Sequence, residues 1–137
     1  MKDLDICILI NNAGILYNGY FRDVILKEIM EMTVVNTYPY ILLTKVLISK
    51  ITSRTLKGGK RSCIINVSSV ASTSASPYQS VYGCTKVFER WFSDLLRHEV
   101  SVDYPNVDIL TIQPMYVSTQ MTNNLTPSFF DGVVTSP

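Results

Sequence analysis

Three short runs of apolar residues recur along the chain, and each is followed by residues typical of turns. The runs span 6–10, 62–67 and 107–113, and they end respectively at the Asn-Asn-Ala-Gly segment 11–14, at a Ser-rich stretch and at Pro114. Continuous apolar runs of this length are typical of strands that are buried on both faces of a sheet. The pattern therefore predicts three buried strands.

Longer stretches between these runs carry apolar residues at helical spacing. They predict a helix over 23–32, a second over 34–53 and a third from Tyr78 or Gln79 to about Val100. The apolar face of the third helix is predicted to consist of Val81, Phe88, Trp91, Phe92, Leu95 and Leu96. Residues 68–80 and 118–137 are predicted to be mainly loop, with one short helix in the second segment. Strands that alternate with helices in this way indicate parallel β-α-β units and an α/β fold.

Composition narrows the classes of function. A chain of 137 residues with 47% apolar residues is sufficient for one domain with a packed core. The 12 basic and 11 acidic residues give a net charge of +1, which provides no electrostatic basis for binding nucleic acid or an anionic membrane surface. No run of about 18 apolar residues predicts a membrane span. Three cysteines without a CxxC pair, and the single histidine His98, do not indicate a metal site.

The pair with the clearest chemistry is Tyr82 and Lys86, which lie four residues apart on the third predicted helix and therefore share a face. A neighbouring ammonium stabilises a phenolate, so we expect Lys86 to lower the pKa of Tyr82 and to make it a usable acid or base near neutrality. A Tyr-x-x-x-Lys pair also occurs by chance on many helices, where it has no catalytic role.

Ser69 favours a catalytic role for this pair, because it follows the second predicted strand and lies thirteen residues before Tyr82. Ligands of parallel α/β sheets bind outside the carboxyl ends of the strands, where a serine hydroxyl could hold a substrate carbonyl beside Tyr82. Ser68 is the competing candidate, and a turn or cap residue is the alternative role for either serine. A hydrolase that uses Ser69 is not favoured, because the chain has no GxSxG motif.

Small or polar residues also follow the other strands. Gly14 permits a close backbone approach, so the amides of the 11–14 segment either line a cofactor or hold two strands together, and a tight turn with asparagine caps is the alternative. Asn36 lies in a predicted helix, where asparagine is unfavourable, and it bends the helix, binds a water or is simply exposed. Residues 114–119 follow the third strand at the same edge of the sheet.

Together and in this order, these segments resemble the short-chain dehydrogenase/reductase family. The matching segments are NNAG at 11–14, Asn36, VSS at 67–69, YGCTK at 82–86 and PMYVST at 114–119. The last segment, with TPSFF after it, most resembles the branch of very-long-chain 3-oxoacyl-CoA reductases and 17β-hydroxysteroid dehydrogenases. The resemblance implies a partial Rossmann-like fold, a doubly wound parallel sheet in three αβα layers that lacks its first βαβαβ half. Residues 1–137 would form the C-terminal, catalytic part of this single domain.

The resemblance also implies roles for individual residues. Tyr82 would be the catalytic acid/base, and Ser69 would polarise the substrate carbonyl. Lys86 would hold the nicotinamide ribose, while Asn36 would anchor a water that links Lys86 to solvent. The residues expected to contact the cofactor are Asn11, Ala13 and Gly14 on its adenosine side, then Tyr82, Lys86, Pro114, Val117 and Thr119.

The function implied by the resemblance is an NAD(P)(H)-dependent oxidoreductase. It would reduce a ketone, or oxidise the alcohol, of a lipid-like substrate such as a 3-oxoacyl-CoA or a steroid, and NADP(H) is favoured over NAD(H). The resemblance further implies a homodimer through the helix from Tyr78 to Val100, and a location at the endoplasmic reticulum, with the cytoplasm as the alternative. The alternative function is a truncated, non-catalytic interaction protein derived from such a reductase.

Two features depart from the family pattern. The glycine-rich TGxxxGxG motif, which places the pyrophosphate of the cofactor at a helix N-terminus, does not occur in the chain, and only ten residues precede Asn11. We therefore expect the 137 residues alone to bind the cofactor poorly and to be inactive, and the first strand to present a bare, aggregation-prone edge. Met115 stands where many members have glycine, so the turn after Pro114 is expected to differ.

Overall fold

All three predicted strands form, and the second has the bounds that the sequence predicts. The computed structural model describes residues 4–57, 59–117 and 121 of the chain. The elements in chain order are β1 (Ile8–Asn11), α1 (Leu26–Leu56), β2 (Ser62–Val67), α2 (Ser80–Asp103) and β3 (Val107–Ile112). The predicted loop after β2 contains one turn of 3-10 helix, Val70–Ser72. The predicted loop and short helix of the C-terminal tail, residues 118–137, lie outside the described residues, apart from residue 121.

The strands form a parallel sheet in the order β1-β2-β3. Both crossovers run in the same direction across the sheet, and because such crossovers are right-handed, α1 and α2 lie on the same face. The core between helices and sheet contains Leu9, Ile51, Ile64, Val100, Val107 and Ile109. The α/β class with a Rossmann-like parallel sheet is therefore confirmed, and the described residues contribute the sheet and one helical layer to it.

The residues predicted to form two helices form one. α1 runs from Leu26 to Leu56 and has 31 residues, so the predicted boundary near residue 33 is wrong. Polar side chains at this point make hydrogen bonds that are compatible with the helix: the Thr33 hydroxyl donates to the Ile29 carbonyl oxygen at 2.7 Å. The Thr37 hydroxyl donates to the Thr33 carbonyl oxygen at 2.6 Å. The two threonine hydroxyls thus bond to carbonyl oxygens of the preceding helical turn and do not draw the backbone out of the helix.

Both helices bury several polar side chains and expose several apolar ones, which departs from the expected pattern. The buried residues of α2 are Tyr82, Thr85, Lys86, Glu89, Ser93 and Val100. Trp91 and Leu95, which belong to the predicted apolar face, are 58% and 50% exposed. The strands present the buried amides of Asn11 and Asn66 to the helices, and buried polar groups require hydrogen-bond partners. Within the described ranges, no helix is long and apolar enough to cross a membrane.

The other face of the sheet is uncovered in the described part of the chain. Alternate strand residues on this face are between 46% and 58% exposed: Ile8, Ile10, Leu110 and Ile112. β1 lies at one edge of the described sheet and pairs with β2 alone there. The bare edge expected for the first strand is thus present in the described sheet, and its tendency to aggregate stays a prediction.

Candidate active site

A cleft of about 690 Å³ opens at the carboxyl ends of the strands, the edge at which parallel α/β sheets bind ligands. Four parts of the chain line it: the segment after β1, the end of β2 with its 3-10 turn, the start of α2 and the segment after β3. The predicted site residues that line the cleft are Ala13, Gly14, Ser69, Tyr82, Lys86, Pro114 and Val117. The topology of the sheet therefore brings most of the predicted site together.

Ser69 and Tyr82 meet in this cleft, and each is only 8% exposed. Ser69 follows the end of β2, where its hydroxyl oxygen accepts a hydrogen bond from the Ala71 amide at 3.2 Å and caps the 3-10 turn. Burial raises the pKa of Tyr82, and a hydrogen bond with Ser69 partly offsets this effect. The two hydroxyls are therefore close enough for one carbonyl oxygen to accept a hydrogen bond from both.

The structure distinguishes between Ser68 and Ser69, the two candidates for the serine that contacts a substrate. The Ser68 hydroxyl donates a hydrogen bond of 2.7 Å to the Lys86 carbonyl oxygen, and the residue is 2% exposed. Its proton is thus used to attach β2 to α2, whereas the Ser69 hydroxyl accepts from the backbone and keeps its own proton for another partner. This arrangement favours Ser69 as the residue that contacts a substrate.

The Lys86 ammonium lies beneath the cleft beside the ring of Tyr82. Its Nζ is 5.5 Å from the centroid of that ring, 2.9 Å from a carboxylate oxygen of Glu89 and 3.3 Å from the Val67 carbonyl oxygen. The expected lowering of the Tyr82 pKa by Lys86 is not found, because burial and the negative charge of Glu89 both raise this pKa. Glu89 neutralises the ammonium within the same buried space.

Glu89 itself was missed by sequence reasoning. The residue is fully buried, and burial raises the pKa of its carboxyl group to about 7, although Lys86 and a hydrogen bond with Tyr40 favour the charged form. Tyr40 is also fully buried, and its hydroxyl donates to the Val67 carbonyl oxygen at 2.7 Å. One signal was available in the sequence, since Glu89 follows Lys86 by three residues and shares its helical face.

Asn36 is fully buried, so its alternative interpretation as an exposed residue is wrong. The side-chain oxygen accepts a hydrogen bond from the Ile15 amide at 2.8 Å. Its Nδ2 donates to the Ile15 carbonyl oxygen and to the Thr85 hydroxyl, each at 3.0 Å. Asn36 thus connects the segment after β1 to α2, and its expected water contact stays a prediction.

The residues of the NNAG segment have two different roles, since the first is buried in the fold and the others line the cleft. Asn11 does not line the cleft: it is 3% exposed, and its Nδ2 donates to the Asn66 side-chain oxygen at 2.7 Å. This side chain therefore holds β1 to β2, as one interpretation of the segment expects, and the expected contact of Asn11 with a cofactor stays a prediction. Asn12, which sequence reasoning did not select, lines the cleft with Ala13 and Gly14.

The segment after β3 closes another side of the cleft. The Pro114 carbonyl oxygen accepts a hydrogen bond from the Val70 amide at 3.1 Å, which ties this segment to the turn that carries Ser69. Met115, expected to alter the turn, also lines the cleft, together with Val117. Thr119 lies outside the described residues.

The residues present fit the nicotinamide end of a dinucleotide. A Cβ atom on Gly14 would lie 3.4 Å from both Lys86 Nζ and Asn36 Oδ1, so glycine leaves open space beside the ammonium, where ribose hydroxyls could be bound. Backbone of the 13–14 and 114–117 segments borders the same cleft. The glycine-rich motif for the pyrophosphate is not among the 137 residues.

Comparison with known proteins agrees with the family resemblance found in the sequence. The sequence profile described as short chain dehydrogenase matches residues 1–128. Very-long-chain 3-oxooacyl-coA reductase let-767 from Caenorhabditis elegans is 30% identical over 142 residues, which cover 98% of this chain and 42% of the relative. The chain therefore spans less than half the length of this curated relative.

Solved structures share the same architecture. The closed form of serine dehydrogenase complexed with NADP+ superposes with a TM-score of 0.75 and 26% identity, over 85% of this chain and 45% of that one. The 3-ketoacyl-(acyl-carrier-protein) reductase from Brucella melitensis, complexed with NADH, gives a TM-score of 0.78 at 24% identity, over 85% and 47% of the two chains. The second likeness is one of fold alone.

Proposed function

The chain belongs to the short-chain dehydrogenase family, and on this basis we propose that its cleft is the catalytic site of an NAD(P)(H)-dependent oxidoreductase. The reaction would be reduction of a ketone, or oxidation of the corresponding alcohol, on a lipid-like substrate. The observation that carries this proposal is that Ser69, Tyr82 and Lys86 line one cleft, with the Lys86 ammonium 5.5 Å from the centroid of the tyrosine ring.

The chemistry follows from the two hydroxyls. In the direction of reduction, Ser69 donates a hydrogen bond to the substrate carbonyl oxygen and holds it beside the Tyr82 hydroxyl, which delivers the proton. In the reverse direction, Tyr82 accepts the proton of the alcohol. A nicotinamide cofactor, when bound, supplies or accepts the hydride.

Lys86 and Asn36 would support this pair. The Lys86 ammonium would hold ribose hydroxyls of the cofactor, and its charge would assist ionisation of Tyr82. Asn36 fixes Thr85 of the catalytic helix through a hydrogen bond of 3.0 Å, and the Thr85 hydroxyl in turn donates to the Tyr82 carbonyl oxygen at 2.7 Å. The helical turn that carries Tyr82 is therefore held in place, as positioning of a proton donor requires.

A lipid-like substrate is supported by the apolar lining of the cleft. Apolar or aromatic residues that line the cleft outside the catalytic pair include Leu16, Val70, Met115, Tyr116, Val117 and Met121. The C. elegans relative carries a name that specifies a very-long-chain 3-oxoacyl substrate. Ile15 and Tyr17, the chain neighbours of Leu16, do not line the described cleft.

The preferred cofactor is proposed to be NADP(H) rather than NAD(H), on the basis of the family branch that the sequence resembles. Related structures contain either form. Titration of the protein with NADPH and with NADH, followed by nicotinamide fluorescence, distinguishes the two. Tighter binding of NADH would contradict the proposal.

The decisive experiment compares the protein with its Tyr82→Phe variant, using a 3-oxoacyl-CoA as substrate and nicotinamide absorbance as the readout. Because the pyrophosphate motif is absent from the 137 residues, both are also assayed as chimaeras that carry the first half of the nematode reductase. We expect Tyr82→Phe to lower turnover by about 100-fold or more. Tyr104→Phe, the same change at the end of α2, is the matched control and should have little effect.

Equal turnover in the Tyr82→Phe chimaera would refute the proposed mechanism. A chain that shows neither nicotinamide binding nor turnover in either form, but associates with another protein, would favour the alternative of a non-catalytic interaction protein.

We also propose a homodimer through α2. The outward face of this helix exposes Val87, Trp91 and Leu95 by 47%, 58% and 50%, and the half-buried rings of Phe88 and Phe92 stack beside them with centroids 6.1 Å apart. Exposed apolar patches of this kind mark interaction surfaces. Analytical ultracentrifugation should show a dimer in the wild-type protein.

A charge on this face should weaken the dimer, because the charged group would be desolvated at the interface. Trp91→Lys is expected to produce monomer, whereas Glu99→Lys, at an exposed polar position of the same helix, is expected to leave the dimer intact. A monomeric wild-type protein would overturn this proposal. The family branch further suggests the endoplasmic reticulum as the location, with the cytoplasm as the alternative, which microscopy of a tagged protein distinguishes.

A further inference from the structure

We propose that Glu89 is a positioning residue of the catalytic site, whose buried carboxylate anchors the Lys86 ammonium and thereby sets the pH range in which Tyr82 can act as a base. The inference rests on the proposed function. It extends that function to a buried carboxylate, which lies behind the residues that line the cleft.

The geometry of the ion pair is the first support. Both carboxylate oxygens of Glu89 lie 2.9 Å from Lys86 Nζ, and the two side chains are 0% and 5% exposed. A buried pair at this distance interacts far more strongly than a pair on the surface, because little water screens it. The carboxylate therefore fixes where the ammonium lies.

The second support is the attachment of Glu89 to the sheet. The Ser93 hydroxyl donates to the Glu89 carbonyl oxygen at 2.7 Å, and it accepts a hydrogen bond from Asn66 Nδ2 at 2.7 Å. The helical turn that carries Glu89 is thus connected to Asn66 near the end of β2, three residues before Ser69. A carboxylate held in this way can orient its partner without moving itself.

The titratable and charged groups that face Glu89 come from two elements. α1 contributes Tyr40, and α2 contributes Lys86 and Tyr82. From β2, the uncharged carbonyl oxygen of Val67 accepts hydrogen bonds from Tyr40 and Lys86. Burial and the charge of Glu89 raise the pKa of Tyr40, so this hydroxyl stays neutral. Lys86 is the cation of the group, and Glu89 is the anion closest to it.

The consequence for Tyr82 follows from the signs of these charges. An ammonium alone would stabilise the Tyr82 phenolate, whereas an ammonium paired with a carboxylate in the same buried space acts more like a neutral dipole. When Glu89 is charged, it opposes the loss of the Tyr82 proton. Removing this charge should therefore allow Tyr82 to ionise at lower pH.

The test uses Glu89→Gln, which keeps the shape of the side chain and removes its charge. The protein is labelled with carbon-13 at the tyrosine Cζ position, whose chemical shift reports ionisation, and the Tyr82 signal is assigned with Tyr82→Phe. We expect the Tyr82 midpoint to fall by about one pH unit in Glu89→Gln. Glu99→Gln, at an exposed position of the same helix, should leave the midpoint unchanged.

A second readout is the pH dependence of kcat/KM for alcohol oxidation in the chimaera, whose rising limb should shift to lower pH by the same amount. An unchanged Tyr82 midpoint in folded Glu89→Gln overturns the inference. A shifted midpoint without any turnover retains the inference about charge and contradicts the proposed function instead. If Glu89→Gln does not fold, Glu89→Met, which also removes the charge, serves in its place. The same fall of the Tyr82 midpoint is expected, and an unchanged midpoint would again overturn the inference.

Discussion

Asn11 and Asn66 occupy paired positions at the ends of β1 and β2, and the side-chain amide of Asn11 donates to the side-chain oxygen of Asn66 across 2.7 Å. Asn66 then donates to the Ser93 hydroxyl on α2. This row of polar side chains connects two strands and the catalytic helix directly beneath the cleft. The active-site end of the fold is therefore held together by hydrogen bonds more than by apolar packing.

Asn66→Ala should lower the free energy of unfolding by about 2–3 kcal/mol, because it leaves the buried Asn11 amide and Ser93 hydroxyl without this partner. Urea unfolding followed by circular dichroism measures the loss. Asn12→Ala, at an exposed asparagine in the same part of the fold, should change the stability by less than about 0.5 kcal/mol. Equal losses in the two variants would contradict this account.

Ser68→Ala and Ser69→Ala should separate stability from activity. Ser68→Ala removes the bond to the Lys86 carbonyl oxygen and is expected to cost about 1 kcal/mol of stability with turnover retained. Ser69→Ala is expected to lower kcat by about 100-fold, because the donor to the substrate carbonyl is lost. Unfolding curves and turnover of both variants, each in the chimaera, provide the comparison. The reverse pattern would identify Ser68 as the catalytic serine.

Glu89 should make the folded protein less stable as the pH rises. Its carboxyl has a pKa near 4.5 when unfolded and about 7 when folded, so the folded state binds more protons between these values. Its contribution is fully present below pH 4.5 and is lost as the pH rises through about 7.

The measurement is the difference in unfolding free energy between wild type and Glu89→Gln across this range. The difference should change by up to about 3 kcal/mol between pH 4.5 and pH 7, in the direction that disfavours the wild type at higher pH. Glu99→Gln should remain parallel to the wild type. A pH-independent difference would show that Glu89 titrates at its ordinary pKa.

The sheet face that is uncovered in the described residues, together with the edge strand β1, should make the chain prone to association. Ile10 is 58% exposed on the edge strand β1, and an apolar edge invites pairing with another chain. Ile10→Thr is expected to slow aggregation severalfold, as measured by light scattering. Val102→Thr, which alters an 81% exposed valine on α2, should have no such effect.

The strands and their parallel order could be predicted from the sequence, because short apolar runs alternate with helical stretches, although one face of the sheet is uncovered in the described residues. The faces of the helices could not. Trp91 and Leu95 follow the pattern of a core-facing stripe, yet the stripe lies on the outside, since the end of the sheet offers polar groups that only polar helix residues can satisfy. Periodicity identifies a helix and gives no information about what the opposite surface contains.

Part of the site could be predicted from the order of strands and helices along the chain. Ser69 and Tyr82 meet because the ends of parallel strands and the helices after them share one edge of the sheet. The pairing of Lys86 with Glu89, and the turn of Asn11 away from the cleft, depend on side-chain directions that a single sequence does not specify. The expected pKa of Tyr82 was wrong because it left out burial, the largest effect on this group, and the charge of Glu89.

The inverted faces of α2 also bear on how this helix can evolve. At most helices the apolar positions change slowly and the polar ones drift, but here Thr85, Glu89 and Ser93 are the buried positions. A survey of tolerated substitutions should find these three nearly fixed. The freedom of Val87 and Trp91 to vary would depend on whether a second subunit covers them.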